Sequence, residues 1–174
     1  MIYKISEICE ITSSKRIFAN EYTNNGIPFY RGKEIIELSE GKNVSTDLYI
    51  SQEKFNEIKN KFDTPKYGDI LLTAVGTLGI PYFVIKENFY FKDGNLMWLK
   101  KFNNKCINKY FYYYLQSSFF KKMILSKAIG STQKAITIDS IKNTEINIHN
   151  IVEQQHIVNI QWKDEFIWKF YWKI

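Results

Sequence analysis

The most regular stretch of the chain is DILLTAVGTLGIPYFVI, residues 69–85. Two runs of aliphatic, β-branched and aromatic residues flank Gly76-Thr77-Leu78-Gly79, whose glycines allow the backbone conformations that a tight turn needs. The pattern predicts a β-hairpin. Just downstream, NFYFKDGNLMWLKKF (residues 88–102) repeats the arrangement around Asp93-Gly94-Asn95 and predicts a second hairpin. The middle of the protein is therefore expected to be a sheet.

Outward toward the N-terminus, IPFYRGKEI (residues 27–35) reads as a further strand, with Arg31 and Lys33 at alternate positions and so on one face. SQEKFNEIKNKF (residues 51–62) reads as a helix, because Ser51 can cap it and Phe55, Ile58 and Phe62 recur at helical spacing. Ile2, Ile5, Ile8 and Ile11 recur every third residue, which predicts a helical turn or two packed by one face; residues 12–26 read as a loop. Toward the C-terminus, KYFYYYLQSSFFKKMILSKA (residues 109–128) predicts one amphipathic helix with Tyr112, Leu115, Phe119 and Met123 on its stripe and Gly130 closing it. The same spacing assigns the aromatic run at residues 110–114 to the core in preference to base stacking. A polar loop from Gly130, a short strand-like run and a last helix from about Ile151 complete the order. The expected fold class is α+β: residues 1–150 as a single domain with a central, mostly antiparallel β region and flanking helices, then a C-terminal helix over residues 151–174 suited to coiled-coil-like packing.

The chain has 174 residues, enough for one domain with a real core and an appendage. With 45% hydrophobic and 24% charged residues the composition is globular. A net charge of +6 and 17% aromatic residues suit a phosphate backbone, although lysine-rich composition alone explains the charge equally well. Cys9 and Cys106 make no secreted disulfide framework, so a reducing cytoplasm is expected. The first residues lack a signal-peptide pattern, and no apolar run of about 18 residues suggests a membrane span.

Catalytic motifs fail one after another. His149, His156 and the two cysteines lack zinc spacing, and neither cysteine has an evident base beside it. Gly76-Thr77-Leu78-Gly79 lacks the lysine and following helix of a phosphate-binding loop. The nearest nuclease-like carboxylates are Asp69 and Glu87, but no lysine stands two residues after Glu87, and Asp69 is better placed to close the turn after Gly68. No metal site and no catalytic residue are expected.

Four segments, in order, carry a resemblance: YKISEICEI (residues 3–11), GIPFYRGKEI (26–35), YGDILLTAVGTLG (67–79) and GSTQKAITIDSIKNTEINIHNIVEQQHIV (130–158). Together they resemble the target-recognition domain of the DNA specificity subunit of type I restriction-modification systems. The resemblance implies sequence-specific binding of double-stranded DNA, with methyltransferase and restriction endonuclease subunits as partners. S-adenosylmethionine, ATP and Mg would reside on those partners, leaving this chain without cofactor or catalysis. Members of the family carry two recognition domains and two helices paired as an antiparallel coiled coil. With one of each, this chain resembles a half-subunit that pairs as a homodimer. His149-Asn150 stands where the family has a proline pair, which predicts a less rigid corner, and the ending IQWKDEFIWKFYWKI (residues 160–174) is shorter than the family's helix.

Under that resemblance Arg31 could grip a guanine edge and Lys33 a phosphate; the alternative is an exposed sheet face balanced by Glu34 and Glu37. Thr77 could approach DNA between its glycines, or simply serve the turn. Lys92 and Lys134 are phosphate candidates, with solvated surface lysines as the alternative. Thr132 and Gln133 could read base edges or satisfy backbone groups, the latter being favoured. Ile157, Ile160, Ile167, Tyr171 and Ile174 form the stripe expected to pair, widened by Trp162. Two other classes stay open: a small DNA nuclease or modifying enzyme with a fused recognition domain, and a half-subunit that competes for the methyltransferase without reading DNA.

Overall fold

The computed structural model describes residues 1–129 and 134–171, with side chains as far as residue 161. In chain order the elements are β1 (Ile2–Lys4), a 3-10 turn (Ile5–Glu7), β2 (Glu10–Thr12), a second 3-10 turn (Ala19–Glu21), β3 (Tyr22–Thr23), β4 (Ile27–Tyr30), α1 (Gly32–Ser39), β5 (Tyr49–Ile50) and α2 (Gln52–Lys61). There follow β6 (Ile70–Thr73), β7 (Pro81–Phe83), β8 (Tyr90–Phe91), β9 (Leu96–Lys100), α3 (Asn108–Gln116), α4 (Ser118–Lys127), α5 (Ile138–Lys142), β10 (Glu145–Asn147) and α6 (Ile151–Tyr171).

The hairpin at residues 69–85 is present as β6 and β7, with Ile70 opposite Phe83 and Leu72 opposite Pro81. It forms half of a sheet of order β2-β9-β6-β7, antiparallel throughout. All residues of β6, β7 and β9 are buried, which explains their unbroken apolar runs: both faces of the sheet are covered. Ile70, Leu72, Met97 and Leu99 face Phe111, Leu115, Phe120 and Ile124 of α3 and α4. Leu71, Leu96 and Trp98 point the other way, onto Ile35 of α1 and Phe89 and Phe91. A second sheet, β3-β5-β4-β8, packs Phe29, Ile50 and Tyr90 on Phe55 and Ile58 of α2. The pair β1-β10 ties the first residues to the segment entering α6. The architecture is α+β with mostly antiparallel pairing, as expected; among the described residues only β4 and β8 run parallel.

Several expected elements differ, each for a local reason. The strand over residues 27–35 ends at Tyr30, and Arg31 and Lys33 share no strand face, because Glu34 turns back to accept the Arg31 N–H at 2.8 Å and starts α1. The capping position holds arginine, so the usual Ser/Thr signal is missing. The second hairpin does not form: β8 pairs with β4 while β9 pairs with β2 and β6, so Asp93-Gly94-Asn95 carries the chain from one sheet to the other. The helix over residues 109–128 is two helices, because Ser117 is extended and its Oγ accepts from the Phe120 N–H at 3.2 Å. Among the N-terminal isoleucines only Ile5, Ile8 and Ile11 are buried; Ile2 is exposed and lies in β1, and the helical part is the single turn Ile5–Glu7. Ser51 caps α2 through the Lys54 N–H at 3.0 Å, yet Phe62 falls just past the last turn and is exposed. Gly130 lies outside the described residues, and α4 ends at Lys127.

Candidate nucleic-acid interface

The connections after β2, after β6 and before β9 meet at one end of the central sheet, beside the backbone of residues 134–136. The cross-strand pairs Thr12 with Trp98 and Thr73 with Leu96 place the exits of β2 and β6 beside the entry to β9. The Ser13 hydroxyl donates to Leu96 O at 3.4 Å and accepts from the Gly94 N–H at 3.3 Å, while Ala74 N–H donates to Asn95 O at 2.9 Å. Ala74 O in turn accepts from Ile136 N–H at 3.0 Å, and Lys134 O accepts from Gly76 N–H at 3.0 Å. Ile129 and Ala135 exchange two bonds, at 2.8 and 2.9 Å. Thr132 and Gln133 are outside the described residues; Lys134 is joined through its backbone to the Gly76-Thr77 turn. Two candidates far apart in sequence thereby become one surface.

The turn itself is fixed from beneath. Buried Thr73 accepts Ile80 N–H on its Oγ1 at 2.9 Å and Gly79 N–H on its carbonyl at 2.9 Å. Gly79 has φ +73° and lies so close to Ile124 that a Cβ there would stand 3.3 Å from Ile124 Cγ2. Both facts demand glycine and seat the turn on α4. Thr77 is exposed and lines a groove of about 270 Å³ together with Gln116, Lys121 and Glu40. Lys92 is half-buried at the end of β8, and its N–H donates to Tyr30 O at 2.9 Å. No described residue forms an ion pair with Lys92, Lys121 or Lys134. Arg16, on the loop after β2, holds Asp93 at 2.8 Å.

Arg31 sits at the end of β4, next to Lys92 at the end of the parallel β8, but it is committed internally. Its Nη2 donates to Glu34 Oε1 at 2.6 Å and to Asp47 Oδ1 at 3.0 Å, and its Nε is shared by both Glu34 oxygens at 3.2 Å. Burial pushes the Glu34 carboxyl up, but hydrogen bonds from the Arg31 guanidinium and from backbone outweigh it and hold the group below the usual carboxylate range. The hydrogen bond to Glu34 likewise raises Arg31. A two-toothed grip on guanine would require Nη2 to leave these partners. Lys33 is on the exposed side of α1, 3.9 Å from Glu37.

The net charge has a location. Residues 94–138 hold eight lysines and no acid, so this stretch alone outweighs the whole chain's +6. Lys121, Lys122, Lys127 and Lys134 within it are exposed. Lys100 and Lys101 of this stretch are paired with Glu10 and Asp63; the exposed lysines attract a polyanion at long range, an effect that weakens with salt.

At the other end stands the root of α6. Gln154 is fully buried: its Oε1 accepts Ile107 N–H at 2.8 Å, and its Nε2 donates to Lys105 O at 3.0 Å and His149 O at 2.9 Å. Tyr110 Oη and His149 Nδ1 are 2.8 Å apart. Asn150 Oδ1 accepts the N–H groups of Val152 and Glu153, each at 3.0 Å, and caps the helix. The corner expected to be less rigid without its prolines is pinned by hydrogen bonds instead. Ile157 and Val158 pack on the domain core, so Ile157 belongs to an internal contact; Ile160 is exposed. The side chains of Trp162, Ile167, Tyr171 and Ile174 are outside the described residues. Among the described residues no group of three or more His, Cys, Asp or Glu could hold a metal ion, and no helix is long and apolar enough to cross a membrane.

Comparison with known proteins matches residues 1–163 to the model of the type I restriction modification DNA specificity domain. The chain belongs to that family. The specificity domain is 34% identical over 164 residues to a Haemophilus influenzae protein assigned as a type I restriction enzyme specificity subunit, S.HindORF215P, covering 91% of this chain and 38% of that one. Its fold matches the S subunit of an M. genitalium type I restriction-modification system with a TM-score of 0.66 at 21% identity, covering 95% of this chain and 39% of that one. The HsdS subunit from Thermoanaerobacter tengcongensis gives a TM-score of 0.65 at 18% identity, with 95% and 37% covered. The chain thus spans under two-fifths of the length of these relatives.

Within the specificity domain, three residues of the arrangement are not singled out by sequence patterns. Thr73 looks like one more strand residue, Lys121 like a solvated helix lysine, and Gln154 like a polar helix-surface residue. For Lys121 a signal exists, the acid-free stretch around it.

Proposed function

We propose that this chain binds double-stranded DNA sequence-specifically through its loop end, as the target-recognition part of a type I specificity subunit. The observation that carries this reading is the convergence of the Gly76-Thr77 turn, the backbone at Lys134–Ile136 and the cations Lys92, Lys121 and Lys134 toward one end of the sheet. The lysines supply phosphate contacts; Thr77 is the base-edge candidate, Thr132 and Gln133 act first as scaffold and only secondarily as contacts, and Arg31 acts mainly as the clamp of α1. Chemistry belongs to methyltransferase and endonuclease partners, which hold S-adenosylmethionine, ATP and Mg, and the setting is the cytoplasm. The division into a recognition domain, residues 1–150, and a partner helix, 151–174, is part of the same proposal. Beyond Val158 that helix pairs with an equivalent helix of a second copy, aligning two recognition domains as half-subunits of one reader.

Binding to a duplex followed by fluorescence anisotropy over a salt series tests the reading. The affinity should fall steeply with salt, and Lys121→Ala and Lys134→Ala should each flatten the slope by about 0.9. Unchanged slopes in both variants would place the contacts elsewhere. Magnesium-dependent cleavage by the purified chain would favour the nuclease alternative, and methyltransferase binding without DNA selectivity would favour a competing half-subunit. A monomer by light scattering at tens of micromolar would refute the helix pairing.

A further inference from the structure

Residues 12–26 read from the sequence as a loop, and the structure gives part of that loop a fixed form at the loop end of the sheet. Its first half is tied down by the Lys15 N–H, which donates to Tyr90 Oη at 2.7 Å, and by Arg16 Nε, which holds Asp93 at 2.8 Å. Ile17 then turns inward and joins Phe29, Phe55 and Tyr90 in the core of the second sheet. At Phe18 both backbone groups are engaged: its N–H donates to Glu21 Oε2 at 2.8 Å, and its carbonyl accepts from the Glu21 N–H at 2.9 Å. Glu21 is held in turn by Lys54 Nζ at 2.8 Å. Past this turn, burial and then the charge of Asp93 raise the Tyr22 hydroxyl, with Arg31 opposing, so the chain returns to the neighbourhood of Asp93.

The outcome is an apolar ring offered to solvent from a rigid turn. Phe18 is 61% exposed although its neighbour Ile17 is buried, and the exposed side chains around it, Lys15, Arg16 and Asn20, are cationic or polar. Scattered exposed apolar residues are ordinary, but this one has its backbone fixed on both sides, so a partner that meets the ring orders little further chain. Asp93 engages only the Nε of Arg16, whose side chain is 67% exposed, which leaves the terminal guanidinium groups for another acceptor. A duplex suits both halves of this surface. Its phosphates match Lys15 and Arg16, and the faces of its bases match the ring.

We propose that Phe18 is an apolar wedge, pressed into a base step of the bound duplex and partly unstacking it while Lys15 and Arg16 hold flanking phosphates. The proposal rests on the DNA-binding reading above. It adds a contact that reads DNA by how easily a step opens, and not by the hydrogen-bonding pattern of a base edge. Flexible pyrimidine–purine steps are therefore preferred where Phe18 meets the duplex.

Two duplexes of equal length and base composition test this, one of alternating T and A and one an A-tract. They carry the same phosphate charge and differ in the flexibility of their steps, and every register of the alternating duplex is equivalent. The full chain is titrated onto each at low salt, with anisotropy reporting affinity and 2-aminopurine at one central adenine of the alternating duplex reporting unstacking. The wild type should bind the alternating duplex about tenfold more tightly than the A-tract and raise the 2-aminopurine fluorescence. Phe18→Ala should abolish the fluorescence rise and bring the two affinities within about twofold, whereas Phe18→Leu, which keeps an apolar wedge, should retain most of both effects. Thermal unfolding of both variants should match the wild type, since the side chain is exposed. A wild type with neither preference nor fluorescence rise, or a Phe18→Ala variant that keeps both, would overturn the proposal. So would a Phe18→Ala variant weakened only toward the methyltransferase subunit, which would assign the ring to a protein contact. The DNA-binding reading fails separately, and takes the wedge with it, if the wild type binds neither duplex at low salt.

Discussion

The two ends of this domain are held together by different kinds of bond. At the loop end the joints are largely backbone to backbone: Ile129 with Ala135, Gly76 with Lys134, and Ala74 with Asn95 and Ile136. At the root of α6 they are made by side chains, namely Gln154, the Tyr110–His149 pair and Asn150. Backbone bonds persist whatever side chains the loops carry, so the outward residues of the loop end can be exchanged without moving the loops. The helix root has no such freedom, because its geometry is written in particular side chains. A protein that must present changeable contacts from a constant frame gains from this division.

Substitutions at the two ends should therefore separate stability from binding. The largest stability loss is expected from Gln154→Leu, which strands the Ile107 N–H and the Lys105 and His149 carbonyls in a buried place; about 3 kcal/mol should appear in chemical denaturation. Between the ends, Glu34→Gln should cost about 2 kcal/mol by loosening the Arg31 clamp and the start of α1. That contribution has a pH signature. Because the folded carboxyl lies below its unfolded value of about 4.3, the stabilisation is complete above that value and is lost as pH falls through the folded pKa. The gap between wild type and Glu34→Gln should accordingly narrow in acid, as followed by thermal unfolding from neutral pH downward.

A smaller effect, about 1 kcal/mol, is expected from Tyr110→Phe, which removes one partner of His149. Smallest of all should be Lys121→Ala and Lys134→Ala, under about 0.5 kcal/mol in unfolding, since neither lysine is held by an ion pair with a described residue. A loop-end lysine whose removal destabilised the fold as much as Gln154→Leu would erase the contrast.

The same contrast explains what was legible in the sequence. The hairpin at residues 69–85 and the α2 cap at Ser51 depend on neighbours in sequence, and local patterns identify both. The family resemblance, carried by four segments, agrees with the family match over residues 1–163. What escaped is in part long-range and in part a cap carried by a residue type or position that the pattern does not flag. The turn at residues 93–95 gives no sign that its flanking strands join different sheets, since that depends on β4 and β2 arriving from distant segments. Arg31 looks like a cation on a strand because nothing local reveals that Glu34 will be buried beneath it. Ser117 ends a helix that its periodicity would continue, through a cap that propensity alone does not predict. At the interface, Thr77 and Lys134 were visible as candidates, but their adjacency depends on long-range backbone contacts such as the Gly76–Lys134 and Ala74–Ile136 bonds.

Selection of bound duplexes from a fully randomised library, with the full chain and the methyltransferase subunit proposed to partner it present at near-physiological salt, is the most direct test of recognition at the loop end. Enrichment of a defined base pattern, lost or altered when Thr77 is replaced by Ala but unchanged by Tyr110→Phe, is the predicted result. Recovery of duplexes without any common pattern, bound with an affinity set by salt alone, would contradict sequence-specific reading and leave only a basic surface.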